Sequence, residues 1–241
     1  MSNIKIGDDD LVFTYKERAF NGFAPCFDNG VYSLACCKGA RNGNSLRQNA
    51  CEKFLSGKTV WVLAIAAAKI TDKGNNTSSI AYKHGDAIYL AKVDGVYTWK
   101  DYSDLHSDRK DSIYELRNGE VTWREGYSGP HSNDDKARAT DCATEMSGMS
   151  PVEIFINKEQ ILISHEYYIF DQGQKLSGLE EYSLLDVQRG FAFKKGGEKR
   201  AEVLRSFLEN NHQFKYTTGQ DPFHNVAPKS GKCANKCRSC K

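Results

Sequence analysis

The chain has 241 residues, 39% hydrophobic and 27% charged, which is enough for one large domain with a soluble packed core. Its longest apolar run, Val60 to Ala68, is too short to cross a bilayer, and the acidic start MSNIKIGDDDL lacks the apolar core of a signal peptide. Those features predict a cytoplasmic protein with no membrane partner. The net charge of +2 hides an asymmetry, because the segment from Ala227 holds Lys229, Lys232, Lys236, Arg238 and Lys241 and no acid. Without those five cations, 28 basic residues face 31 acidic ones, so a mildly acidic body precedes a basic tail. Such a tail can reach phosphates and give salt-sensitive, sequence-blind affinity, or simply be solvated.

In chain order, Leu11 to Tyr15 reads as a short strand, followed by a turn at Gly22 to Pro25 and a second strand at Val31 to Cys36. Leu46, Ala50, Phe54 and Leu55 recur at helical spacing, and Gly57-Lys58 ends that helix. Val60 to Ala68 shows no polar alternation, as expected of a strand buried on both faces. Asp72 to Ser79 is a polar loop. Ala87 to Val93 and Val96 to Tyr102 read as a hairpin joined at Asp94-Gly95. Arg117 to Gly148 is poor in aliphatics, and a long segment of that kind inside a domain is usually functional. Gln160 to Phe170 and Gly190 to Lys194 read as strands, and Glu198 to Asn211 as an amphipathic helix. This order has no regular strand–helix–strand alternation. The expected fold is α+β, a curled mixed sheet or pseudo-barrel with flanking helices over residues 1–216, with an irregular Cys-rich basic tail at 217–241.

Ordinary cofactor motifs are missing. Gly57-Lys58-Thr59 looks like the end of a P-loop, but Glu52 stands where the first glycine is required. His165-Glu166 has no second histidine at metalloprotease spacing, and no Gly-x-Ser-x-Gly occurs. Chemistry run by carboxylates and water, without a cofactor, suits this inventory. The chain has eight cysteines. Cys233, Cys237 and Cys240 are spaced for metal binding, with His212 or His224 as a fourth zinc ligand, but a thiol-bearing tail reads the same way. Cys36 and Cys37 are adjacent on a predicted strand and so point to opposite faces.

The polar candidates for chemistry are Asn21, Asp111, Ser112, His131, Asp141 and His165. Asp111 reads either as a cap or as a catalytic carboxylate, His131 as a loop histidine, and His165 as a sheet histidine. Lys38 at a strand end and Arg47 in the first helical turn could clamp a phosphate. Phe23 and Tyr114 each lie beside a turn and suit the stacking of an extruded base.

These pieces together resemble the second family of nucleotide-modification-associated domains. That family shows Asp/Asn-Gly-x-Ala-Pro, a Leu-Ala-x-Cys-Lys strand, an Ile-Arg helix start, and Gly-Asp-Trp before an apolar strand. Here they appear as Asn21-Gly22-Phe23-Ala24-Pro25, Leu34-Ala35-Cys36-Cys37-Lys38, Leu46-Arg47 and Gly57-Lys58-Thr59-Val60-Trp61. A later Asp-Asn-Ile-Tyr segment, a histidine-bearing loop and a Val-Leu-Ile-Ser strand correspond to Asp111-Ser112-Ile113-Tyr114, His131 and Ile161-Leu162-Ile163-Ser164. The likeness spans roughly Phe20 to Phe193, with Ser112, Lys58 and Asn21 departing from the usual residues. It implies phage or bacterial systems that hypermodify DNA bases or respond to them. At the level of fold it implies the PUA-like domains that read modified bases.

The resemblance implies DNA with modified bases as the partner and three competing activities. The first is a DNA glycosylase in anti-phage defence, with Asp111, Asn21 and His131 as catalytic residues. Phe23, Tyr114, Ser112 and Cys36 would hold the base, and Lys38 and Arg47 the phosphates. The second is a reader that uses the same pocket without a competent carboxylate. The third installs the modification. A carboxylate of Asp111 or Asp141 beside Asn21 would favour hydrolysis, and surface caps at both would favour reading.

Overall fold

A computed structural model describes residues 4–17, 24–35, 46–66, 70–71, 81–125, 149–170, 191–192, 202, 204–206 and 216–217. The fold is α+β. In its central sheet, β1 (Leu11–Glu17) and β4 (Val60–Ala66) run parallel, in register from Leu11↔Val60 to Glu17↔Ala66. β7 (Ala87–Lys92) lies antiparallel to β4, and β12 (Glu166–Phe170) lies antiparallel to β7. With β13 (Phe191–Ala192) and β14 (Tyr216–Thr217) at the edges, the order is β13-β1-β4-β7-β12-β14. Every residue of β4 is buried, which is why its sequence shows no alternation. Among the described residues neither this sheet nor the second closes into a barrel.

The second sheet has the order β2-β3-β11-β8, built from β2 (Cys26–Asp28), β3 (Val31–Leu34), β11 (Ile161–Ser164) and β8 (Gly95–Tyr97). Asn29 and Gly30 join β2 to β3 at φ 52° and 73°. A two-residue hairpin with both central residues at positive φ matches the twist of its strands, and Asn-Gly supplies that conformation cheaply. Alternation along β3 then sends Tyr32 to one face, against Phe27 and Tyr89, and Ser33 to the other, against Asp111.

The two sheets meet at a corner where two strands change sheet. The chain leaves β7 through Val93 and Asp94 to enter β8, and leaves β11 through His165 to enter β12. Asp94 ties the crossings together. Its amide donates to the Ile163 carbonyl (3.0 Å), and its carboxylate accepts the His165 amide (2.7 Å) and lies 3.1 Å from His165 Nδ1. Two expectations are corrected here. The Asp94-Gly95 hairpin does not form, because β4 and β12 already occupy both edges of β7. The single strand from Gln160 to Phe170 is two strands, and His165 is an exposed pivot rather than a sheet-face residue.

The helices are α1 (Leu46–Leu55), as the spacing predicts, α2 (Trp99–Leu105) and α3 (Pro151–Asn157). α2 replaces the second half of the predicted hairpin: the Thr98 side chain accepts the Asp101 amide, which starts a helix where aromatics suggest a strand. Ser150 and Glu153 form a reciprocal capping box, with Pro151 at the first position of α3. β9 (Tyr114–Arg117) and β10 (Glu120–Trp123) form a hairpin at Asn118-Gly119, inside the stretch read as loop. β5 (Ile70–Thr71) and β6 (Ala81–Tyr82) form a further pair. Glu202 and residues 204–206 are helical, with Leu204 buried. No described helix is long and apolar enough to cross a membrane.

Gly57 follows α1 at φ 82°, and a Cβ placed there meets nothing within 4 Å. Gly57→Ala therefore isolates the cost of a left-handed backbone. We expect a loss of about 1 kcal/mol in unfolding free energy, with an unchanged urea m-value.

Candidate functional site

Two buried polar systems lie on opposite faces of the second sheet. On the side of α2, Asp111 is 0% exposed, and both of its carboxylate oxygens are engaged. Tyr102 donates its hydroxyl to Oδ1 (2.7 Å) and Ser33 donates its own to Oδ2 (2.5 Å). Arg109, 2% exposed, lies 3.4 Å from Oδ1 through Nε. Its Nε donates to the Tyr102 hydroxyl (2.8 Å), Nη2 to Ser33 Oγ (2.8 Å) and the Val31 carbonyl (3.1 Å), and Nη1 to the Asp28 carbonyl (2.7 Å). The guanidinium thus grips the turn of the β2–β3 hairpin while its charge is balanced from the loop after α2. Burial works against the Arg109 charge, yet Asp111 and Tyr102 hold its pKa above the ordinary value. Burial, reinforced by Asp111, pushes the Tyr102 phenol and the Cys26 thiol up.

Aromatic rings flank this system. Tyr114 meets Trp99 edge-on at 4.8 Å and Trp123 at 5.0 Å, so it is packed between two other rings. Ser112 is buried, and its hydroxyl oxygen finds no hydrogen-bond partner among the described residues.

On the opposite face, five aromatic residues pack between the sheets. Phe27 lies 5.3 Å from Tyr89, 5.1 Å from Tyr167 and 5.5 Å from Tyr32, ring centre to ring centre. Tyr32 and Tyr89 share a hydroxyl hydrogen bond of 3.2 Å, and Tyr89 shares another with Tyr15. Glu17, 4% exposed at the last position of β1, lies two residues beyond Tyr15 and so on the same face of that strand. Burial first, then the Glu17 charge, pushes the Tyr15 phenol well above its ordinary value, and burial does the same to Tyr32 and Tyr89. Tyr15, Tyr32, Tyr89 and Glu17 were not singled out in the sequence. Only their alternation along β1 with the apolar Leu11 and Phe13 marks Tyr15 and Glu17 as inward-facing.

The structure therefore places Asp111 as neither a surface cap nor an exposed catalytic group. Arg47 departs from its expected role as a phosphate clamp. It is 1% exposed, and Nη1 is committed to the carbonyls of Ala35 and Gln160 (3.2 Å to the latter), so the helix turns it into the core. Asn21, Phe23, Cys36, Lys38, His131, Asp141, Cys233, Cys237 and Cys240 lie outside the described residues. Among the described residues no group of three or more histidine, cysteine, aspartate or glutamate side chains is placed to hold a metal ion. Cys26 and Cys51 are free, buried thiols, and burial pushes Cys51 up to about 12. Comparison with protein-family models, characterised proteins and solved structures finds no match to the chain.

Two predictions follow from the ionisation of these groups. Arg109→Leu leaves Asp111 buried without its counter-charge, and we expect a loss of about 3–5 kcal/mol in urea unfolding. A loss under about 1 kcal/mol would show that the network is solvated in solution. The buried phenols and thiols have folded-state pKa values above their unfolded ones, so they favour the native state fully below the unfolded values. That contribution is lost as pH rises, for Cys51 between the ordinary thiol value of 9.0 and about 12. In an alkaline titration, tyrosinate absorbance from these phenols should appear together with loss of circular dichroism. Phenol ionisation at ordinary pH with the fold intact would contradict their burial.

Proposed function

We propose that this protein acts on DNA carrying modified bases, as a glycosylase that hydrolyses the N-glycosidic bond of an extruded base. The observation that carries the reading is a carboxylate, Asp111, fixed by two hydroxyl donors in an interior dense in tyrosine and tryptophan. An extruded base needs stacking surfaces and hydrogen bonds to its edge, and the loss of its sugar bond needs a placed carboxylate. The two sheets that meet at a corner are compatible with a PUA-like pseudo-barrel, which belongs to the same proposal. The reaction needs only water. The basic tail supplies phosphate contacts without sequence preference.

A reader of modified bases is the second reading, and Asp111 itself favours it. With both oxygens bonded and Arg109 beside it, this carboxylate is committed to the fold. The two readings separate when the purified protein is incubated with ordinary DNA and with hypermodified phage DNA and abasic sites are counted. The glycosylase gives abasic sites in modified DNA alone. Intact modified DNA that is retained selectively on the protein makes it a reader, and neither effect sinks both readings.

A further inference from the structure

We propose that His106 is an acid-sensitive latch: protonation of its ring loosens the end of α2 and, with it, the loop that carries Arg109 and Asp111 onto the first hairpin. The latch is independent of the activity proposed above. It sets the pH range over which the outer side of the second sheet stays closed.

His106 caps the C-terminus of α2, where its amide donates to the Tyr102 carbonyl (2.9 Å) and its carbonyl accepts the Arg109 amide (3.1 Å). The Arg109 carbonyl in turn accepts the Ser112 amide (3.1 Å). One residue thus ends the helix and starts the turn that delivers the guanidinium. Its half-buried ring lies between two elements, 5.5 Å from Tyr97 on β8 and 5.1 Å from Tyr102 on α2, ring centre to ring centre. Tyr97 belongs to the edge strand of the second sheet. The Tyr102 hydroxyl donates to Asp111 and accepts from Arg109. The ring therefore meets the helix end, the sheet edge and a member of the buried network at once.

His106 Nε2 is buried and has no hydrogen-bond partner among the described residues. A neutral imidazole has one N–H and one lone pair, so it can turn the lone pair to the sealed side and carry its proton on Nδ1. The imidazolium has an N–H on both nitrogens. Protonation then leaves a charged donor without an acceptor, which costs more than an unmet lone pair.

The surrounding charges do not offset that cost. Arg109 and His165 oppose a proton on the ring, and Asp111 and Asp108 favour one. Asp111 is already engaged by two hydroxyls beside Arg109, and Asp108 is exposed, where water and salt screen it. From β8 and α2, Tyr97 and Tyr102 offer the ring phenol groups and no carboxylate. Burial first, then the Arg109 charge, lowers the His106 pKa below the ordinary value of 6.5. The folded-state value thus lies below the unfolded one. The stability contributed by the neutral ring is complete above the unfolded value and is lost as pH falls through it toward the folded value. A charged ring is hydrated by leaving the space between Tyr97 and Tyr102. That movement unwinds the last turn of α2 and draws Arg109 from the Asp28 and Val31 carbonyls.

The test follows the whole chain by NMR and by urea unfolding from about pH 8 to about pH 5, beside His106→Gln and His106→Phe. In the parent the His106 ring should titrate below the ordinary value. Its unfolding midpoint should fall over the same range, and the Arg109 Nε–H signal should weaken in step. Either variant should abolish that fall and keep the Arg109 signal, which a merely structural histidine would not do. A His106 ring that titrates at or above the ordinary value would overturn the latch, as would a midpoint and an Arg109 signal that respond to pH alike in parent and variants. If neither variant folds, the parent decides alone: the Arg109 signal must weaken with the same pH midpoint as the His106 ring, and a mismatch overturns the proposal.

Discussion

Arg109 carries a full positive charge into a space where 2% of it meets solvent. Such a charge is tolerable only when a counter-charge and enough acceptors surround it, and here three separate stretches of chain supply them. Asp111 comes from the same loop, Tyr102 from α2, and Ser33, Val31 and Asp28 from the first hairpin. The polar groups that α2 and the hairpin would otherwise have to hydrate are used to satisfy one guanidinium. The outer side of the second sheet is therefore organised around a centre that packing forces alone would not specify, because each partner must be present for the others to be buried.

The inner side of the same sheet is built on a different rule. Phe27, Tyr32, Tyr89, Tyr167 and Tyr15 are packed by area and ring geometry, and the hydroxyls of Tyr32, Tyr89 and Tyr15 bond one another.

Some of this was legible in the sequence. α1 and β4 follow from plain periodicity and from an uninterrupted apolar run. Asp94-Gly95 and the run from Gln160 to Phe170 misled for a shared reason: local patterns mark turns and strands but do not say which strand pairs with which. The Asn29-Gly30 and Asn118-Gly119 turns were present as signals, and they mark the hairpins that the reading passed over. Asp111 stood out as a cap or a catalytic carboxylate, but its partner Arg109 did not, since a charged loop reads as solvated until the fold closes over it. Arg47 failed in the opposite way: a first-turn arginine looks exposed, and only the neighbouring carbonyls of Ala35 and Gln160 turn it inward. Tyr15 and Glu17 needed the partner strands, because a tyrosine cluster drawn from β1, β3 and β7 leaves no trace at any one spacing.

The Asn29-Gly30 turn has a further consequence. Tyr32 and Ser33 serve opposite interiors, so the number of residues between Asp28 and Val31 sets which side chain enters which interior. A shift of one would carry a hydroxymethyl group into the aromatic set and a phenol ring against the guanidinium, and both interiors would fail together. A shift of two would restore the sides. The loop thus behaves as a parity check on the chain: its length can drift through evolution in even steps far more readily than in odd ones.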